Sequence, residues 1–247
     1  MWSETSPTGQ KTGRTFTETA RRAQIIKAAI DTIAELGYGQ ASLARIAETA
    51  DTSKGVIIYH FGGKDELIRE LVAEVVARGV AYMEPRIDAE PTGAGKLRAY
   101  IESNLAFMRE NRNHMAAIVE IVLSARAADG SRLYDPSVQD AGVTELQGLL
   151  AYFQGTDEFR AGFDPRVMAM AIRASINAVP AQLARDPALD IGHHAHELAD
   201  LFYLATRPGE SPPGPFHQPA VIGGVNEALH PAGAPGPACP VASCPGW

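Results

Sequence analysis

Cysteine is scarce in this sequence of 247 residues, and its scarcity excludes two classes of protein. The two cysteines, Cys239 and Cys244, both lie near the C-terminus, where they cannot hold a core together as a disulfide framework does. A structural zinc site built from four cysteines is excluded by number alone. The pair could form a labile disulfide or a metal clip, although two reduced thiols are the simpler expectation.

Long hydrophobic runs are also missing. No apolar run approaches the roughly 18 to 20 residues that a membrane-spanning helix needs. Residues 1–13 are polar and lack the apolar stretch of a secretory signal. We therefore expect a soluble, cytoplasmic protein with no membrane partner.

Positive charge is in deficit, since 22 lysines and arginines face 29 aspartates and glutamates and leave a net charge of −7. This balance argues against a protein that coats nucleic acid over its whole surface. The deficit is uneven, because residues 1–64 hold 8 basic and 6 acidic side chains whereas the remaining chain holds 14 and 23. The sequence therefore predicts that only the N-terminal end meets a polyanion.

Strand signals, such as alternating hydrophobicity between hairpin turns, are lacking, and apolar residues instead recur at helical spacing. The pattern predicts an all-α protein of about nine helices. From Arg207 onward, 17 of 41 residues are proline or glycine, which predicts a disordered tail. We assign residues 1–14 to a flexible N-terminus, 15–64 to a helix-turn-helix domain, 65–206 to a second helical domain and 207–247 to the tail.

The boundaries of the first helices carry clear signals. Thr15 begins a capping box for the first helix, and Gly37 provides a left-handed stop. Ser42 is an N-cap for a short second helix, and a third helix spans about residues 53–60. The fourth helix is expected to end before Pro85, because proline does not continue a helix.

Two short helices joined by a turn of three or four residues form the helix-turn-helix pattern. The second helix of such a unit can lie in the major groove of DNA, with its N-terminal residues facing the base edges. An ammonium group at Lys54 can reach guanine acceptors or a phosphate, and Gly55 removes a side chain where the helix approaches DNA. The candidate DNA contacts are Ser42, Arg45, Thr52, Ser53, Lys54, Gly55, Val56, Tyr59, His60 and Lys64.

Four short strings lie in and around this unit: residues 37–39 (GYG), 42–47 (SLARIA), 53–61 (SKGVIIYHF) and 64–67 (KDEL). Together they closely resemble the N-terminal domain of TetR-family transcriptional regulators. The resemblance implies a homodimeric repressor that binds a palindromic DNA operator and is released by a small hydrophobic or amphipathic effector. It further implies that residues 65–206 enclose the effector pocket and that the last two helices pair with a second subunit. No cofactor and no catalysis are expected.

Two positions depart from the family pattern. Asp51 stands in the turn where the family usually has glycine, and we expect the turn to survive because aspartate tolerates left-handed geometry. Ile58 stands where the family often places a phosphate-contacting tyrosine, so either Tyr59 takes that contact or Ile58 meets a thymine methyl group. The second departure leaves open an interaction protein that has lost DNA binding. For Arg45, a phosphate contact and an ordinary surface charge are both open.

Large apolar and aromatic side chains in the second domain are candidates for an effector pocket, although each is more often ordinary core. Glu120 is unusual because it lies in an otherwise apolar helix, where an unpaired carboxylate is costly. It either faces a cationic ligand or pairs with an arginine or with solvent. The pocket candidates are Met83, Phe107, Met108, Met115, Glu120, Tyr152 and Phe153, and the dimer candidates are Met168, Ile172, Ile176, Leu198, Leu201 and Phe202.

A histidine-rich segment offers a rival hypothesis. His196, Glu197 and Asp200 are similar to a zinc-protease helix, except that aspartate replaces the second histidine. With His193 and His194 they define a possible metal site and, as an alternative function, a small helical metalloenzyme. An ordinary solvent-exposed helix start is favoured over the metal site. The enzyme alternative has no further support, because the sequence lacks a phosphate loop, a nucleophile elbow and a paired-histidine motif.

Overall fold

The computed structural model describes residues 16–126, 130–133 and 140–209. Within these ranges the chain forms nine α-helices and one isolated bridge between Arg126 and Arg132, with no strand, which confirms the all-α prediction. The helices are α1 (Phe16–Leu36), α2 (Leu43–Thr49), α3 (Lys54–Phe61), α4 (Lys64–Asp88), α5 (Gly93–Glu110), α6 (Arg112–Ser124), α7 (Asp140–Gly155), α8 (Pro165–Arg185) and α9 (Ile191–Thr206). Thr15, the N-terminal segment 1–14 and residues 210–247 of the tail, with both cysteines, lie outside the described ranges.

The first three helices pack together because each turns an apolar face inward. α1 contributes Ile25 and Ile33, α2 contributes Ile46, and α3 contributes Ile57 and Phe61, all of which are almost fully buried. Burying such side chains stabilises the unit by roughly 1.5–3 kcal/mol each. Because the inward face of α3 is held in this core, the residues on its opposite face are oriented toward solvent.

The turns that separate these helices have the predicted left-handed geometry. Gly37 ends α1 with φ +78°, and its N–H donates to the Ile33 carbonyl at 2.9 Å. Asp51 takes φ +47° between α2 and α3, which confirms that aspartate can occupy the position usually held by glycine.

The end of α4 differs from the sequence prediction. The helix continues through Pro85 to Asp88 instead of ending before the proline. A proline this close to a helix end removes only one hydrogen bond of the last turns. The Tyr82 carbonyl accepts from the Arg86 guanidinium, and the N–H of Ala89 donates to the Pro85 carbonyl at 3.2 Å. These bonds hold the final turn together on both sides of the proline.

The later helices pack around α5. This helix contacts α4, α8 and α9, while α7 lies on α8. Ile101 and Leu105 of α5 and Ile172 and Ile176 of α8 are fully buried in one apolar core. Because α6 packs on α1, the C-terminal helices contact the three-helix unit through α6 as well as through α4.

In the part of the chain that the structure describes, α8 alone is long and apolar enough to cross a membrane, by length and composition only. It is an exception to the expectation that no such stretch exists. Its Ile172, Ile176 and Val179 are fully buried against other helices, whereas only 28% of its apolar stretch is buried as a whole.

Candidate nucleic-acid interface

Serine caps fix the start of both helices in the helix-turn-helix unit. Ser42 Oγ accepts from the N–H of Arg45, and Ser53 Oγ accepts from the N–H of Val56, each at 3.3 Å. Such caps satisfy N–H groups that the first turn of a helix leaves free. Thr52 lies half-buried in the turn between the helices.

α3 presents two contrasting faces. Its buried face is formed by Ile57 and Phe61, whereas Lys54, Gly55 and Tyr59 are exposed, Tyr59 to 83%. No ion pair ties Lys54 to the described part of the chain. A Cβ at Gly55 would lie 3.7 Å from the Ser53 hydroxyl, which is ordinary contact. The chain's own packing therefore leaves this position free for a larger residue.

The remaining candidate contacts are placed less favourably for DNA. Val56 is half-buried against the core, and His60 is half-buried with an Nδ1 that has no hydrogen-bond partner among the described residues. Arg45 is exposed and pairs with Glu48 at 3.3 Å on the same helix. Ile58 is 42% exposed, so it shares the outward side of α3 with Tyr59.

Arg22 of α1 holds α3 in place, and sequence reasoning missed it. Although only 7% exposed, it donates to the His60 carbonyl and pairs with Glu70 of α4. Its guanidinium carbon also lies 4.2 Å from the centre of the Phe61 ring. A basic residue on the apolar face of α1, three positions before Ile25, was the available signal.

Lys64 lies at the start of α4, as predicted, but its side chain turns back onto Tyr38. Its Nζ donates to the Tyr38 carbonyl at 2.8 Å and lies 4.1 Å from the centre of the ring. Burial lowers the pKa of Lys64 below its ordinary value, an effect that the nearby Asp65 carboxylate opposes. An ammonium group has three donors, so two remain for a phosphate.

None of the predicted effector-pocket residues lines either of the two cavities described below. Phe107, Met108, Met115 and Phe153 are buried in the apolar core, Met83 is half-buried and Tyr152 is 66% exposed. Glu120 is half-buried and forms no ion pair with an arginine among the described residues. Its carboxylate accepts from the backbone N–H of Tyr38 at 3.2 Å, which places it at the contact between α6 and the three-helix unit.

Two adjoining open cavities lie elsewhere, along the surface of α5. One of about 470 Å³ is formed with the end of α4, and one of about 300 Å³ with the start of α9. They share Glu102 and Ala106. Arg98 in the wall of the larger cavity is already paired with Asp200 and Glu102, so its charge is balanced within the chain.

The predicted dimer residues divide between the core and the surface. Ile172, Ile176 and Phe202 lie in this chain's own core, because these positions face α5 and its neighbours rather than solvent. Met168 and Leu198 are half-buried, and Leu201 is 59% exposed. On the same two helices, the large exposed apolar side chains are Val167, Met170, Leu201, Tyr203 and Leu204.

Two histidines of α9 lie close to carboxylates. His196 lies 3.8 Å from Glu102 and 3.5 Å from Asp200, and Arg98 bonds both carboxylates. His193 lies 4.0 Å from Glu197. Among the described residues, no group of three histidine, cysteine or acidic side chains has the arrangement of a metal site.

The comparison with known proteins relates the N-terminal part of the chain to a family of bacterial regulators. Residues 25–71 match the family described as bacterial regulatory proteins, tetR family. The match runs from within α1 to the first turns of α4. It is 33% identical over 96 residues to the HTH-type transcriptional regulator BetI 1 of Chromohalobacter salexigens, a match that covers 38% of this chain and 48% of that protein.

Two further matches are to proteins of Bacillus subtilis. The chain is 25% identical over 154 residues to the fatty acid metabolism regulator protein of Bacillus subtilis, covering 62% of this chain and 78% of that one. The crystal structure of FadR from Bacillus subtilis in complex with stearoyl-CoA matches with a TM-score of 0.65 at 22% identity, covering 73% and 97% of the two chains. The structural likeness shows a shared fold. The chain spans about half the length of the BetI 1 relative, and these relatives are transcriptional regulators rather than enzymes.

Proposed function

We propose that this chain is a sequence-specific DNA-binding regulator, and that it acts as a repressor. The observation that carries the proposal is the two-faced α3. Ile57 and Phe61 anchor the helix while Lys54 and Tyr59 face outward. A helix held in this way can enter the major groove, with Lys54 at base edges and Tyr59 at a phosphate. The family match over residues 25–71 supports the same assignment.

The proposal includes a homodimer on a palindromic operator. Val167 and Met170 of α8 and Leu201 and Leu204 of α9 are all more than half exposed, which is unusual for large apolar side chains on two helices that both pack on α5. A two-fold axis through this surface would present two copies of α3 to two half-sites.

The proposed effector is a small hydrophobic or amphipathic molecule that binds within residues 65–206 and weakens operator binding. The FadR relative was solved with stearoyl-CoA, which makes acyl thioesters the first class to test. Phe107, Met108 and Met115 offer buried apolar surface for an acyl chain. No catalytic step is part of the proposal, and the protein would act in the cytoplasm, where the chromosome lies.

Selection of binding sites from random duplex DNA tests the proposal. We expect the full chain to enrich a palindrome with half-sites one helical turn or more apart. Lys54→Ala should lose most of this enrichment while keeping weak binding to scrambled DNA, because base contacts specify and phosphate contacts do not. Lys27→Ala, which removes an exposed lysine of α1, is the matched control and should enrich the same palindrome.

Each contrary result has a definite meaning. Equal losses on the palindrome and on scrambled DNA in Lys54→Ala would contradict a base contact at that position. No enrichment by the unmodified chain over Lys54→Ala would contradict DNA reading and favour an interaction protein.

A further inference from the structure

Both backbone polar groups of Tyr38 are held by side chains from other helices. Its N–H donates to the Glu120 carboxylate at 3.2 Å, and its carbonyl accepts from Lys64 Nζ at 2.8 Å. Tyr38 lies in the turn between α1 and α2, Lys64 begins α4, and Glu120 lies in α6. Three parts of the chain therefore meet at one residue.

Among the described residues, the Glu120 carboxylate has the Tyr38 N–H as its one hydrogen-bond partner. It is half-buried within the apolar part of α6, residues 115–123, and forms no ion pair with any residue described. A Cβ built at Gly37 would lie 3.2 Å from Glu120 Oε2, tighter than nine in ten real contacts of this kind, so the carboxylate would have to shift by a few tenths of an ångström. Glycine at position 37 therefore allows this close approach, and it also suits the backbone φ of +78° there.

The hydrogen bond joins two units that the proposed function assigns different tasks. Charge-assisted bonds from a carboxylate to a backbone N–H are stronger than neutral ones. The other polar contact between α6 and α1, from Asn113 Nδ2 to Asp31 Oδ1, is 3.5 Å long and exposed. The carboxylate of Glu120 thus supplies the strongest directional contact described between α6 and the three-helix unit.

We propose that Glu120 is a positioning residue that couples the helical C-terminal domain to the helix-turn-helix unit through Tyr38. A shift of α6 moves the carboxylate, and the turn that orients α2 and α3 follows. This inference rests on the proposed function, since it assigns the two domains to effector and DNA binding. By reciprocity, DNA bound at α3 must also stabilise α6 through the same contact.

Amide hydrogen exchange of the full chain, with and without the selected operator duplex, tests this reciprocity. In the unmodified protein, we expect DNA to slow exchange in fragments covering α3 and in fragments covering α6. In Glu120→Ala, protection of α3 should persist while the DNA-induced protection of α6 falls by about tenfold, the effect of losing one charged hydrogen bond. Glu120→Gln should give an intermediate result, because its amide oxygen still accepts.

Glu145→Ala is the matched control, since Glu145 is an exposed carboxylate of α7. It should transmit protection to α6 as the unmodified chain does. Undiminished protection of α6 in Glu120→Ala would overturn the inference while leaving DNA binding intact. Thermal unfolding of each variant identifies any that fails to fold. If Glu120→Ala fails to fold, the DNA-induced protection of α6 in Glu120→Gln decides whether Glu120 couples the two domains.

A measurement without DNA separates failure of the inference from failure of the proposed function. In the free protein, Glu120→Ala should speed exchange of the Tyr38 amide by about tenfold, since its acceptor is lost. If operator DNA protects neither helix in the unmodified chain but this acceleration is seen, the proposed function fails and the contact stands. If the Tyr38 amide exchanges equally in both proteins, Glu120 does not hold the turn.

Discussion

α3 and α9 are both amphipathic helices on the surface, yet they expose opposite chemistry. α3 buries Ile57 and Phe61 and presents Lys54 and Tyr59 to solvent. α9 buries Phe202 and other apolar residues, but a further apolar pair, Leu201 and Leu204, remains outside. Apolar surface that the chain's own core does not use is costly in water. The contrast underlies our proposal of a polar partner at α3 and a protein partner at α9.

The largest expected effect breaks the buried face of α3. Ile57→Ala removes a fully buried side chain and should lower the free energy of unfolding by about 3 kcal/mol. Ile58→Ala, one position along and 42% exposed, should change it by less than about 1 kcal/mol. Urea unfolding measures both, and equal losses would show that α3 is not seated as described.

A second substitution removes the contact that holds the end of α3. Arg22→Gln leaves Glu70 without its partner and removes a donor from the His60 carbonyl. Because Glu70 is 29% exposed, we expect a loss of about 2 kcal/mol, below the range for fully buried pairs. Arg69→Gln, which removes an exposed pair with Glu66, should cost less than about 0.5 kcal/mol. Urea unfolding measures both losses. Similar losses of unfolding free energy in Arg22→Gln and Arg69→Gln would contradict the role of Arg22 in holding the end of α3.

The oligomeric state tests whether the exposed face of α9 is the dimer interface. Leu204→Lys adds a charge to a residue that is 55% exposed in one chain and, in the proposed dimer, lies in the interface. Analytical ultracentrifugation should show a dissociation constant raised by at least tenfold, because an unpaired charge would be buried. Ala151→Lys on α7 is the control and should leave the association unchanged. An unaffected dimer in Leu204→Lys would move the interface elsewhere.

At the DNA-facing end, Lys64→Ala tests whether this side chain also meets a phosphate. The slope of the logarithm of the binding constant against the logarithm of salt concentration should fall by about one unit. Lys64 can make this contact without leaving Tyr38, because only one of its donors is used there. An unchanged slope would confine Lys64 to a structural role.

The smallest expected effect is a pH dependence that arises on α6, away from both exposed faces. Burial lowers the pKa of His114 below 6.5, with Arg78 and Lys27 acting in the same direction and Asp31 and Glu74 opposing. The unfolded chain therefore binds the proton more readily, so stability is complete above about pH 6.5 and declines as the pH falls below it. In His114→Gln, the free energy of unfolding measured with urea should fall less as the pH drops below about 6.5 than it does in the unmodified chain.

Local signals in the sequence were sufficient to predict the helix-turn-helix unit. Ser42 and Ser53 act on N–H groups three residues away, and Asp51 acts on its own backbone, so each effect is readable in a short window. Pro85 misled the prediction because the cost of a proline depends on how much helix follows it.

Contacts between residues far apart in the sequence could not be predicted from short windows of sequence. The partner of Glu120 lies 82 residues earlier in the chain, and it is a backbone group with no sequence signature. Helical periodicity likewise grouped Ile172 with other apolar residues of α8, but periodicity alone does not say whether a stripe faces the chain's own core or a second molecule.

The continuity of α4 past Pro85 has a mechanical consequence. Its 25 residues form a rod of about 37 Å, at a rise of 1.5 Å per residue. One end helps to form the cavity beside α5, and the other carries Lys64. A tilt of only about 5° at the cavity end sweeps the other end through roughly 3 Å, the length of a hydrogen bond. With its proline confined to the last turn, the helix can act as a stiff lever that converts a small angular change into the gain or loss of a contact.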